Sequence, residues 1–219
     1  MKILPEQMRL YAVTDRTWLH GRKLIDVVSE AIDGGATFVQ LREKSHLEGM
    51  ELSGEELLAE AKKLAQLCHE RGVLFVIDDD VELALEAGAD GVHVGQSDME
   101  ALDVRAKLGP DKIIGVSAQT VEQAILAEQR GADYLGVGAV FHTGSKADAE
   151  DVSHETLTAI CNAVKIPVIA IGGITKDNVA RLSGSGIVGV AVVSAIFAQP
   201  DIPAATRALK AAVRTALDL

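Results

Sequence analysis

The residues with chemistry to offer come in short clusters rather than singly. In Gln40-Leu41-Arg42-Glu43-Lys44, strand alternation points Gln40, Arg42 and Lys44 to one side. An Arg and a Lys converging on one mouth suit an anion, and the planar guanidinium can fork onto phosphate oxygens. The competing reading is a solvated strand end with a local salt bridge. Asp78-Asp79-Asp80 and the later Asp98 supply carboxylates instead. Two carboxylates with waters and substrate phosphates are the usual magnesium arrangement, although an Asp ahead of a helix is also an ordinary N-cap. Phe141-His142-Thr143-Gly144-Ser145-Lys146 carries two hydroxyls and a lysine on a glycine-containing loop. Such a loop can wrap an anionic ligand, or it can be merely solvated. Gly172-Gly173 and Val193-Ser194 stand where backbone N–H groups can meet a phosphate.

Each cluster lies at the end of a predicted strand. Strands are read at 10–14, 38–43, 74–78, 91–94, 113–117, 134–139, 168–171 and 188–193. Between and after them, helical patterns run near 24–33, 54–70, 80–87, 99–108, 120–130, 153–164, 176–183 and 202–217. Several strands are nearly continuous apolar runs, as expected where both faces are covered. Strict strand–helix alternation predicts an α/β fold, a single (β/α)8 TIM barrel spanning residues 1–219. A doubly wound open sheet is the alternative, usually with fewer strands and one switch point. Glycine-led turns at Gly34-Gly35-Ala36, Gly88-Ala89-Asp90, Gly131-Ala132-Asp133 and Gly184-Ser185-Gly186 precede each even-numbered strand. Glycine there can end a helix in the left-handed conformation. In a barrel the active site is built at the C-terminal strand ends, so all the polar clusters share one mouth.

Composition narrows the function. The chain has 219 residues, 48% hydrophobic and 24% charged, enough to bury a large core without disulfides. A net charge of −11 argues against nucleic acid and against a polybasic membrane surface. Aromatic residues make up only 3%, which disfavours stacked bases. No stretch is long and apolar enough to cross a bilayer. The first residues, Met1-Lys2-Ile3-Leu4-Pro5-Glu6-Gln7, turn polar at once, so a cytoplasmic location is expected. Cys68 and Cys161 lie in helical patterns and read as small buried apolar residues rather than a disulfide or zinc ligands. His93 is expected to be packed or hydrogen-bonded near the mouth. His142 lies on its loop, and His20, His46, His69 and His154 read as surface positions. Zinc spacings, a Ser/His/Asp set, a nucleophile elbow, a GxGxxG after the first strand and a P-loop are all absent from the sequence.

Two anion sites in one mouth therefore emerge: a metal-bound diphosphate near strands 2, 3 and 4, and a monophosphate near strands 7 and 8. Two phosphorylated small molecules facing each other suggest a transferase with diphosphate as leaving group.

The residues that carry this reading also resemble a known family. L-Y-A-V-T-D at 10–15, Q-L-R-E-K at 40–44, A-D-G-V-H-V-G-Q at 89–96, G-A-D-Y-L-G-V-G at 131–138, I-P-V-I-A-I-G-G-I at 166–174 and V-A-V-V-S-A-I-F at 190–197 are similar to thiamine-phosphate synthase. The likeness runs through almost the whole chain in order. It implies a (β/α)8 barrel joining 4-amino-2-methyl-5-(diphosphooxymethyl)pyrimidine to a thiazole phosphate with Mg2+. It implies that Gln40, Leu41, Arg42, Glu43, Lys44, Asp78, Ser117 and Lys146 hold the pyrimidine diphosphate. Asp79 and Asp98 would bind the metal, and Thr143, Gly144, Ser145, Gly173, Val193 and Ser194 the thiazole phosphate. Arg42, Lys44 and Lys146 would act catalytically, by stabilising charge on the departing diphosphate. The chain departs from the family where Asp78 replaces a usual Asn and Ser145 a usual Thr, and in a 45–55 segment a few residues longer than usual. A homo-oligomer is compatible with this reading. Its competitors are a thiazole tautomerase-like isomerase and a non-catalytic barrel that binds a phosphorylated ligand.

Overall fold

The computed structural model describes residues 3–43, 52–95, 101–142 and 151–218. Its strands are β1 (Leu10–Val13), β2 (Phe38–Leu41), β3 (Leu74–Asp78), β4 (Gly91–Val94), β5 (Ile113–Ala118), β6 (Tyr134–Val137), β7 (Val168–Ile171) and β8 (Gly189–Val192). They form a closed parallel barrel in chain order, sealed where Tyr11 of β1 registers with Ala191 of β8. The helices are α1 (Leu24–Gly34), α2 (Gly54–Glu70), α3 (Val81–Ala87), α4 (Ala101–Leu108), α5 (Val121–Gln129), α6 (His154–Ala163), α7 (Ser194–Phe197) and α8 (Ile202–Ala216). Among the described residues, no helix is long and apolar enough to cross a membrane.

Alternation along each strand sorts the core into two layers. Leu10, Ala12, Val39, Leu41, Phe75 and Ile77 face outward and pack against the helices. Tyr11, Val13, Phe38, Val76, Ile113, Tyr134 and Ile169 fill the lumen. This double coverage is why the strands read as unbroken apolar runs.

The glycine-led turns behave as expected at Gly35 and Gly88, which cap α1 and α3 in the left-handed conformation at φ 104° and 72°. The residues that follow add a stitch the sequence reading missed. Thr37 Oγ1 accepts the Leu10 N–H at 3.0 Å, Asp90 Oδ2 the Phe75 N–H at 2.8 Å, and Asp133 Oδ2 the Ile114 N–H at 2.8 Å. The side chain entering each of β2, β4 and β6 thus bonds backbone near the start of the preceding strand. Both cysteines are free thiols, Cys68 buried and Cys161 partly so, with burial pushing Cys68 up to about 12.

Several expected boundaries change. The predicted strand at 38–43 stops at Leu41, because the Arg42 N–H leaves the ladder for Thr14 Oγ1 at 3.0 Å. The segment at 176–183 becomes a short 3-10 helix, Val179–Leu182. Asn178 explains the shortening: its Oδ1 accepts the Thr175 N–H and its Nδ2 donates to the Gly173 carbonyl, both at 2.8 Å. Such side-chain bonds compete with a regular helical start. Finally, Ser194 does not end β8 but opens α7, since the backbone turns at Val193 and its carbonyl accepts the Ile196 and Phe197 N–H groups.

Candidate active site

At the C-terminal end of β3, three consecutive aspartates do three different things. Asp80 is the N-cap of α3, its Oδ1 accepting the Leu83 N–H at 2.9 Å. Asp79 adopts φ +60°, a left-handed conformation that Asp tolerates better than most residues. That bend lets its N–H donate to the His93 carbonyl at 2.8 Å and turns its Oδ1 to the Gly95 N–H at 3.3 Å. Asp78 still belongs to the strand and registers with His93 of β4, on the lumen side. The expected N-cap role therefore falls to Asp80 alone, and Asp79 stands at the joint rim of β3 and β4.

Arg42 meets these carboxylates from β2. Its Nε lies 3.8 Å from Asp78 Oδ2 and its Nη1 lies 3.7 Å from Asp15 Oδ2, with all three side chains mostly buried. A cation held between two carboxylates at these longer separations is positioned without being consumed by a tight bidentate pair. The extra carboxylate at Asp78 is thus partly neutralised. Asp15, which also caps the 3-10 turn Arg16–Trp18, is a site residue the sequence reading missed. It lies in the quoted L-Y-A-V-T-D run, but nothing local shows that its charge crosses to β2.

Other members of the Q-L-R-E-K run separate. Gln40 is buried and registers with Val13 and Val76, both lumen residues, so it faces inward. Leu41 faces the opposite way, into the helix-packed layer. Glu43 turns to Arg16, whose Nε donates to it at 2.6 Å, while Arg16 Nη2 binds Glu60 of α2. Burial raises the Glu43 pKa, and the bond from Arg16 opposes that rise. Glu43 thereby anchors the β2 exit to the loop after β1. Lys44 lies outside the described residues, as do Asp98, Thr143, Gly144, Ser145 and Lys146.

Across the lumen, Ser117 of β5 bonds His93 Nε2 at 3.0 Å. His93 is therefore hydrogen-bonded inside the barrel, as expected, while His20, His69, His142 and His154 are exposed. After β7, Gly172 and Gly173 take φ values of +102° and +62°. A Cβ on Gly173 would stand 2.5 Å from the His142 carbonyl oxygen and 2.8 Å from that of Phe141. Glycine is required there for the strand-6 loop to lie against β7, which the Phe141 N–H bond to the Gly172 carbonyl secures at 3.1 Å. Val193 and Ser194 sit at the neighbouring exit, after β8. Among the described residues, no cluster of three or more His, Cys, Asp or Glu forms a ready metal cage. The hard oxygen donors at the described rim include those of Asp15, Asp78 and Asp79.

The mouth so assembled can be set beside known proteins. The family model described as thiamine monophosphate synthase matches residues 10–196. The thiamine-phosphate synthase of Clostridium tetani is 48% identical over 200 residues, covering 91% of this chain and 93% of that protein. That of Ruminiclostridium cellulolyticum is 47% identical over 200 residues, covering 91% and 92%. Among solved structures, the thiamine phosphate pyrophosphorylase from Pyrococcus furiosus superposes with a TM-score of 0.88 at 40% identity, covering 98% of this chain and 100% of that one. With the matched segment running from the first strand into α7, the chain belongs to the thiamine monophosphate synthase family.

Proposed function

We propose that this chain is a thiamine-phosphate synthase, joining 4-amino-2-methyl-5-(diphosphooxymethyl)pyrimidine to a thiazole phosphate with release of diphosphate. The observation that carries the reading is Arg42, a mostly buried cation held between Asp15 and Asp78 at the barrel mouth. A buried guanidinium there suits an anionic ligand. Gln40, Leu41, Arg42, Glu43, Lys44, Asp78, Ser117 and Lys146 hold the pyrimidine diphosphate. Thr143, Gly144, Ser145, Gly173, Val193 and Ser194 hold the thiazole phosphate.

In this mechanism the C–O bond of the pyrimidinylmethyl diphosphate breaks first, and the diphosphate leaves with the electron pair. The electron-rich aminopyrimidine stabilises the resulting cation. The thiazole nitrogen then forms the new C–N bond with its lone pair, giving the thiazolium product. Arg42, Lys44 and Lys146 stabilise charge growing on the leaving group, so no protein nucleophile is needed. Asp79 and Asp98 are the residues that would hold magnesium, and the left-handed bend setting Asp79 on the rim beside β4 fits such a role. When bound, magnesium supplies positive charge to the diphosphate oxygens.

The test is incubation of the purified protein with both substrates, with and without magnesium. Thiamine phosphate and diphosphate should appear in equal amounts, and neither should form from one substrate alone. Isomerisation of a thiazole phosphate without diphosphate release would move the chain to the tautomerase-like reading. Ligand binding without turnover would leave only a phosphate-binding barrel.

A further inference from the structure

Both tyrosines of the chain, Tyr11 and Tyr134, are buried in the lumen, where the mechanism above gives them no part. The Tyr11 and Tyr134 hydroxyls lie 3.0 Å apart, the Tyr134 hydroxyl is 2.9 Å from His93 Nδ1, and His93 Nε2 is 3.0 Å from Ser117 Oγ. We propose that this relay runs in one direction, from Tyr11 to Ser117, and makes Tyr134 and His93 positioning residues that fix Ser117 as a hydrogen-bond donor to the substrate heterocycle.

Counting protons sets the direction. Among the described residues, the Tyr11 hydroxyl has Tyr134 as its hydrogen-bond partner, and the Tyr134 hydroxyl has Tyr11 and His93. If Tyr11 donates to Tyr134 and Tyr134 donates to His93 Nδ1, every phenol proton has an acceptor. His93 must then carry its proton on Nε2 and give it to Ser117 Oγ, so Ser117 directs its own proton to a partner other than His93. If Ser117 donates to His93 instead, His93 Nδ1–H must point at Tyr134. Either the Tyr134 or the Tyr11 proton is then left in the lumen without an acceptor. A doubly protonated His93 leaves the same orphan. An unmade bond of this kind lowers the population of its arrangement by about ten- to a hundredfold. Burial, above all, raises both phenol pKa values, with the Asp78 charge adding to the rise, so both remain proton donors.

The backbone is cut to fit this relay. Gly115 registers between His93 and Tyr134 on the intervening strand. A Cβ there would collide with the Tyr134 ring and hydroxyl and stand 2.5 Å from His93 Nδ1. At Gly136, a Cβ would lie 3.0 Å from His93 Cε1 and 3.4 Å from Nε2. Glycine at both lumen positions lets the phenol reach over β5 to the imidazole and leaves the imidazole room to meet Ser117.

The substrate side of the proposal rests on the functional reading above, in which Ser117 faces the pyrimidine. The relay itself is tested separately, by nitrogen-15 NMR of the histidine-labelled full-length protein, with His93 assigned by its loss in His93→Asn. A protonated Nε2 and an unprotonated Nδ1 in the parent protein are expected. A protonated Nδ1, or a doubly protonated ring, overturns the direction, and the tautomer itself is read in the parent protein. In steady-state kinetics, Tyr134→Phe should raise KM for the pyrimidine diphosphate about tenfold and leave KM for the thiazole phosphate unchanged. Tyr11→Phe should give a smaller change, since Tyr134 still bonds His93. Gly136→Ala, which crowds the imidazole while leaving every relay group in place, should reproduce the selective KM effect. Equal KM increases for both substrates, or none, would refute the positioning role. Absence of diphosphate release by the parent protein would sink the functional reading and leave the NMR test standing.

Discussion

At the floor of the barrel one construction recurs: Thr37, Asp90 and Asp133 each reach back to an N–H of the preceding strand. At the mouth the described strand ends differ from one another. β2 delivers Arg42, β3 delivers Asp78 and Asp79, β5 delivers Ser117, and β7 exits through a double glycine. Repetition at the floor reflects a repeated task, joining strand to strand, which any polar side chain of suitable reach can perform. Variety at the mouth is what the proposed function requires, since its two phosphorylated substrates present several distinct groups. Stability and chemistry are thus separated along the strand axis, as the barrel fold allows. The hydrogen bonds from Tyr11 through Tyr134 and His93 to Ser117 run between residues next to the floor stitches and one at the mouth.

The separation can be broken by experiment. Asp79→Ala and Asp98→Ala should each lower turnover on the order of 10³-fold, the several kcal/mol that metal charge supplies to a departing oxyanion. Both should raise the magnesium requirement while leaving the melting temperature within a few degrees. Unchanged magnesium-dependent rates in both variants would remove them from the mouth's function. Lys146→Ala should cost on the order of 10²-fold in turnover, comparable to losing one preorganised electrostatic donor. A normal kcat with only a higher thiazole phosphate KM would reassign that lysine to the other anion site.

The floor should respond in the opposite sense. Asp133 accepts the Ile114 N–H and also pairs with Arg105 at 2.6 Å. Asp133→Ala should lower unfolding free energy by about 2 kcal/mol in urea titration, with kcat/KM unchanged, because a buried donor loses its partner. A large kinetic effect at intact stability would erase the distinction between the two ends. The smallest effect concerns Asp78, whose charge Arg42 offsets only at 3.8 Å. Asp78→Asn should keep activity and tighten the pyrimidine diphosphate by about 1 kcal/mol, near fivefold in KM at saturating magnesium. A tenfold weakening would make Asp78 a working ligand and cancel the repulsion argument.

The barrel itself was legible in the sequence, because its causes are local. Apolar runs of strand length, helical periodicity between them and glycine at the turns each depend on neighbours a few positions away. Placement of the polar clusters at strand C-termini followed from the same order. Boundaries failed where a side chain from another strand intervened, as Thr14 did when it drew Arg42 off the β2 ladder. Alternation also assigned a face to each residue without saying what waits there. It put Glu43 on the face opposite Gln40 and Arg42, but could not show that Arg16 meets it there while also binding Glu60. It could not divide Asp78, Asp79 and Asp80 into ion-pair partner, rim carboxylate and helix cap, because those roles depend on Arg42, Gly95 and Leu83. The farthest case is Tyr11 and Tyr134, which are 123 positions apart yet share a hydrogen bond across the lumen. Local periodicity determines that both point inward. Only closure of the barrel, bringing opposite strands within a side chain's reach, decides that they meet.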